Sequence, residues 1–151
     1  MSSRRPLWFC LLAIGLLGAC RSFFRPGASS VPADANFVLT ASDAVASAAQ
    51  DEDCYLAVFV DGKAAGQTAV ALKSKEKAWG EVLPVGNHLF RFEEWVKPPS
   101  GQWTPLPADW QPTERFIRVE PGLRTVVSLK FYDAGRRHSL EISRFPLTVL
   151  P

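Results

Sequence analysis

Little in this chain is suited to reactive chemistry. Its 151 residues include three cysteines, two histidines and one methionine. Cys10 and Cys20 lie in and just after an apolar N-terminal run, which leaves Cys54 alone in the body of the chain. One thiol allows no internal disulfide, so the body must be held by packing. Cys54 stands at the entrance to an apolar strand, where a buried cysteine behaves as a small hydrophobe; a disulfide to another chain is the alternative. His88 and His138 each begin a strand-like run with no third donor at ligand spacing, so no metal is expected. Glu93 and Glu94 are neighbours on a strand, point to opposite faces and cannot work as a paired acid and base. His138 and Ser139 are separated in the same way and lack the strand–turn–helix setting of a nucleophile. A glycine-rich phosphate loop is missing too, and no cofactor is expected. These absences argue against an enzyme.

Net charge is scarce as well. The chain carries 17 basic and 15 acidic residues, but Arg4 and Arg5 fall within the first 19, so the remainder balances at 15 of each. A neutral body without a basic run argues against nucleic acid and against a polybasic membrane-docking surface. Long apolar stretches are limited to one. It runs from Leu7 to Leu17, broken only by Gly15, and is shorter than the roughly 20 residues a spanning helix needs.

Basic residues before that run and small residues after it read as a signal peptide, residues 1–19. The four residues Leu17-Gly18-Ala19-Cys20 resemble the lipobox of bacterial lipoproteins. The resemblance implies a diacylglycerol on the Cys20 sulfur, removal of the signal, and acylation of the new amino terminus. The residues alone leave two alternatives, a secretory signal cut after Ala19 or an uncleaved anchor. A lipoprotein would be exported and tied to the cell envelope through lipid on Cys20. Arg21 is not the aspartate that marks inner-membrane retention, which favours the outer membrane, facing the periplasm or the surface.

Residues 20–53 have the Ser/Ala/Pro/Asp composition of a tether. Within it, Phe37-Val38-Leu39-Thr40 suggests an edge strand, and Ser42 to Gln50 suggests two helical turns capped by Ser42. From Cys54 the pattern becomes period two. Tyr55 to Val60 is apolar on both faces and ends at Asp61-Gly62. Six more runs follow: Thr68 to Lys73, with Val70 and Leu72 sharing a face; Trp79 to Leu83; His88 to Trp95; Arg115 to Glu120; Arg124 to Tyr132; and His138 to Phe145. In these, Phe90 and Phe92, then Ile117 and Val119, then Val127, Leu129 and Phe131, then Leu140 and Ile142 face inward. Turn signals separate the runs. The fold class is therefore all-β, a small sandwich or partly open barrel of about seven antiparallel strands spanning 54–146, with a tail at 147–151.

The phrases Val58-Phe59-Val60-Asp61-Gly62, Gly66-Gln67-Thr68, Leu83-Pro84-Val85-Gly86-Asn87-His88 and Val119-Glu120-Pro121-Gly122 resemble those of PEGA domains. That resemblance implies a β-sandwich of a bacterial envelope protein and no catalytic residues. The chain departs from it in lacking the naming Pro-Glu-Gly-Ala, in carrying Ala69 where proline is frequent, and in a long interruption. The interruption, residues 97–112, holds five prolines with Trp103 and Trp110, and Trp95 just precedes it. Proline stiffens the backbone and removes ladder donors, so an extended, ordered loop is expected. Its tryptophans either cover the end of the sandwich or form a contact surface, with Trp103 and Trp110 the candidate partner contacts. The expected function is a membrane-anchored, non-catalytic interaction or assembly module with an envelope protein partner. The alternative is a module that binds cell-wall glycan or peptidoglycan through loop 97–112.

Overall fold

The computed structural model describes residues 31–147. The signal segment, Cys20, the first part of the tether and residues 148–151 lie outside the described residues. The described chain is all-β, with ten strands and two single 3-10 turns arranged in two sheets. Among the described residues no helix is long and apolar enough to cross a membrane.

The first sheet runs β10 (Arg137–Pro146), β9 (Leu123–Tyr132), β1 (Phe37–Asp43), β5 (Lys77–Glu81). The second runs β3 (Lys63–Gln67), β2 (Asp53–Val60), β6 (Gly86–Lys97), β7 (Thr104–Pro105). Two further strands join it, β4 (Ala71–Leu72) beside β2 and β8 (Arg115–Val119) beside β6. Both sheets keep free edges, so the fold is a sandwich and not a closed barrel. Alternation decides which side chains meet between the sheets. Phe37, Leu39, Leu56, Val58, Phe90, Phe92, Ile117, Val119, Val127, Leu129 and Phe131 are all buried in one core. Phe37 of one sheet stacks on Phe90 of the other at 4.2 Å between ring centres. The Asp61-Gly62 turn between β2 and β3 takes positive φ at both residues, 52° and 77°, the geometry a tight hairpin demands.

Several local expectations are corrected. Residues 37–43 do not form an edge strand on a tether. β1 is an interior strand, parallel to β9 on one side and antiparallel to β5 on the other, so the sandwich takes in residues well before 54. The parallel pair also departs from the all-antiparallel expectation. Parallel strands need a long crossover, and here most of the domain separates the two. The helical turns expected over 42–50 reduce to one 3-10 turn, Ala48–Gln50, because Ser42 and Asp43 are taken up by β1. The run 68–73 contributes only the two residues of β4. Thr68 is drawn inward, its Oγ1 accepting from the Leu56 N–H at 3.0 Å, while Val70 and Leu72 stay exposed. In β10 the register sets Leu140 and Ile142 opposite Leu129 and Val127, yet Ile142 is exposed and Leu140 only half-buried. β10 therefore adds little to the core.

Candidate functional site

The loop from Pro98 to Pro112 is built, not merely long. It turns back at Gly101, whose N–H donates to the Pro98 carbonyl at 2.8 Å and whose φ of 82° suits glycine. β7 then pairs Thr104 and Pro105 with Val96 and Trp95. Leu106 drops into the core, and an added Cβ on Gly135 would lie 2.8 Å from its Cδ1, so the glycine makes room for the leucine. Gln111 completes the seam. Its side-chain oxygen accepts from the Glu94 N–H at 2.8 Å, and its Nε2 donates to the Glu94 carbonyl at 3.1 Å. The Leu106 N–H donates to the same carbonyl at 3.0 Å. An amide side chain thus stands in for a strand backbone where β7 has ended and β8 has not begun.

The two candidate tryptophans go to different places. Trp103 packs edge-on against Tyr55 at 4.9 Å, and Tyr55 lies parallel to Trp95 at 6.2 Å, all on the outer face of the second sheet. Lys97 Nζ stands 6.0 Å from the Trp103 ring. All three rings are half-buried, so one side of the group meets solvent. Trp110 instead lies against the margin of the core with the Arg136 guanidinium 5.3 Å away. Trp103 and Trp110 therefore form no single site. Trp95, which the chain order alone leaves beside the loop, joins Trp103 on the outer face.

Next to this aromatic group runs an open cleft of about 430 Å³, walled by Trp95, Pro105, Pro107 and Ala108, with Glu93 and Gln111 as its polar lining and Leu106 at its base. The Trp95 indole N–H donates to Glu93 Oε2 at 3.4 Å, and Glu93 is ion-paired with Arg91. Arg91 also lies over the Phe59 ring at 3.8 Å and pairs with Glu114 at 3.3 Å. The cleft is mainly apolar with one carboxylate, a surface suited to holding a partner.

Beneath the loop lies something composition did not announce: a cluster of buried ionisable groups. Glu94, on the face of β6 opposite to Glu93, is 1% exposed, and its Oε2 has no hydrogen-bond partner among the described residues. Asp43, at the end of β1, is buried with neither oxygen paired. Burial, reinforced by the Asp43 charge, pushes the Glu94 carboxyl up to about 7. Burial also raises Asp43, against the pull of Lys73 and Lys77. The Cys54 thiol is pushed up to about 12 by burial, which leaves it unreactive. Lys77 Nζ donates to the carbonyls of Lys75, Leu72 and Lys73 at 2.9, 3.1 and 3.2 Å. Lys73 pairs with Glu52 at 2.9 Å. Period-two parity does put Glu94 inward after Phe90 and Phe92. Nothing in sequence places Asp43 beside it, because their strands lie in different sheets.

The histidines are held apart. His88 bonds Asp61 Oδ2 through Nδ1 at 2.7 Å and the Pro84 carbonyl through Nε2 at 2.8 Å. The Asp61 contact, then the Pro84 one, raises its pKa, while the same hydrogen bond lowers that of Asp61. His138 lies exposed on β10. Among the described residues no three His, Cys, Asp or Glu side chains are grouped to hold a metal. No family model, curated protein or solved structure matches this chain.

Proposed function

We propose that this chain is an exported lipoprotein, held to the bacterial envelope by acyl chains on Cys20. Its sandwich then acts as a non-catalytic binding module that assembles with an envelope protein. The observation that carries the binding role is the half-exposed Tyr55–Trp95–Trp103 group beside its cleft. Half-buried aromatic rings on a rigid support are favoured contact points, because they offer large apolar area with little side-chain entropy to lose. Loop 98–112 supplies the rigidity through the Gln111 bridge and the Leu106 plug. The non-catalytic part is supported by the separation of Glu93 from Glu94 and by a thiol too basic to ionise. Anchoring is supported by the Leu17–Cys20 motif, and two acyl chains bind a membrane far more firmly than one.

A second reading has its own observation. The indole wall of the cleft stands beside the Glu93 carboxylate, an apolar face next to a hydrogen-bond acceptor, which suits a sugar ring in cell-wall glycan. The full-length chain and its Trp103→Ala variant, presented to solubilised envelope proteins and separately to soluble peptidoglycan fragments, decide between the two. Loss of capture by about thirtyfold in affinity, with an unchanged melting temperature, is the expected result for whichever partner is right. Unchanged capture of both would overturn the binding face. Cys20→Ala should abolish incorporation of a palmitate analogue, and undiminished labelling would overturn the anchor.

A further inference from the structure

The buried end of the sandwich holds an unequal set of charges. Lys73 is matched by Glu52, and Asp51 is held by the Ser74 N–H and hydroxyl at 2.9 and 2.7 Å. Asp43 from β1 and Glu94 from β6 both feel the Lys73 and Lys77 ammoniums, but Lys73 is already paired with Glu52, so three carboxyls face two ammoniums, with the neutral Cys54 thiol of β2 hydrogen-bonded to Glu94. The three N–H bonds of Lys77 already go to backbone carbonyls, and three of the four carboxyl oxygens have no partner among the described residues. Two buried carboxylates with the Cys54 thiol as their one side-chain donor repel each other and are driven toward solvent. One proton removes the excess.

The same residue that carries this acid holds the loop. The Glu94 N–H donates to Gln111 Oε1, and the Glu94 carbonyl accepts from Gln111 Nε2 and from the Leu106 N–H, so both backbone groups of Glu94 are tied to the loop. A carboxylate at Glu94 can regain water where the loop tied to its backbone lifts.

We propose that Asp43 and Glu94 share a single proton in the closed protein, and that losing it to solvent frees loop 98–112, so the binding face is firmest in acid and loosens as the surroundings rise toward neutral pH. This deepens the binding reading, because the loop that carries Trp103 becomes the element the proton governs. The proton itself stands on the cluster alone.

The sign follows from linkage. A carboxyl raised to about 7 in the closed state, against an ordinary 4.5 once exposed, favours the closed state fully below 4.5 and loses that advantage between 4.5 and 7. The loop-opening constant should rise by at most about tenfold per pH unit across that window. An NMR titration of the full-length chain, free of any partner, tests this through the carboxyl carbons of Asp43 and Glu94 and the side-chain amide of Gln111. The two carboxyls should lose one proton between them with the midpoint that moves the Gln111 signal. Glu94→Gln should leave the Gln111 signal flat with pH. Asp43→Asn, kept as a second variant in case the first does not fold, should lower the Glu94 midpoint by removing the like charge. A Gln111 signal indifferent to pH in the parent, or a midpoint unmoved by Asp43→Asn, would overturn the proposal. Because no partner is present, a failed binding face would leave this outcome untouched.

Discussion

The two ends of the sandwich are built by the same strands and are chemical opposites. Along the inward face of β1 the residues read Phe37, Leu39, Ala41 and then Asp43. β6 passes from Phe90 and Phe92 to Glu94, β2 from Val58 and Leu56 to Cys54, and β5 from Trp79 to Lys77. β9 breaks the trend, with Thr125 buried at the apolar end and Phe131 at the ionisable one. The apolar end gains stability from every methylene it removes from water. The ionisable end gains much less, because charge and unpaired oxygens oppose burial. A sandwich made wholly like its apolar end would be firmer and would have nothing to respond with. The loop that carries the aromatic face sits over the other end.

The strongest way to break the comparison is to remove the strand that serves both ends. A fragment covering 54–146 lacks β1, which leaves β9 and β5 without the strand that joins them. It should show no cooperative unfolding transition by circular dichroism, whereas the full-length chain should. A cooperative fragment would mean that β1 is dispensable.

At the apolar end, Phe92→Ala removes a ring that is 1% exposed and lies 5.9 Å from Phe90. It should cost about 3–5 kcal/mol in denaturant unfolding, by the same amount at pH 5 and pH 8. At the ionisable end, Lys77→Met leaves Asp43 and Glu94 with only Lys73, itself paired with Glu52, as a nearby cation. The expected cost is about 3 kcal/mol at pH 7, shrinking toward pH 5 as protons take the place of the ammonium. A loss for Lys77→Met that ignored pH, or one for Phe92→Ala that followed it, would erase the distinction between the ends.

The apolar core was the legible part. Alternating Phe90 and Phe92, Ile117 and Val119, and Val127, Leu129 and Phe131 is a local pattern, and all seven are buried, Phe131 at the ionisable end included. Asp61-Gly62 announced its turn for an equally local reason, since few residues accept positive φ. β1 was misjudged because four β-forming residues in a tether-like stretch say nothing about partners a whole domain away. The ionisable cluster was invisible for the same reason. Parity separated Glu94 from Glu93, but only the folded sheets bring Asp43, Cys54 and Lys77 to it. In the loop, the tryptophans drew attention while Leu106 and Gln111, which hold it in place, did not stand out among the prolines.

Native-state hydrogen exchange on the full-length chain at pH 7 tests the division between the ends most directly. The amides of Leu39, Phe92 and Val127 should exchange only through global unfolding, with rates that steepen with added denaturant. Those of Leu106 and Trp110 should exchange faster, through a local opening that denaturant barely changes. Equal protection at all five positions, with one shared denaturant dependence, would contradict the account and make the sandwich a single unit.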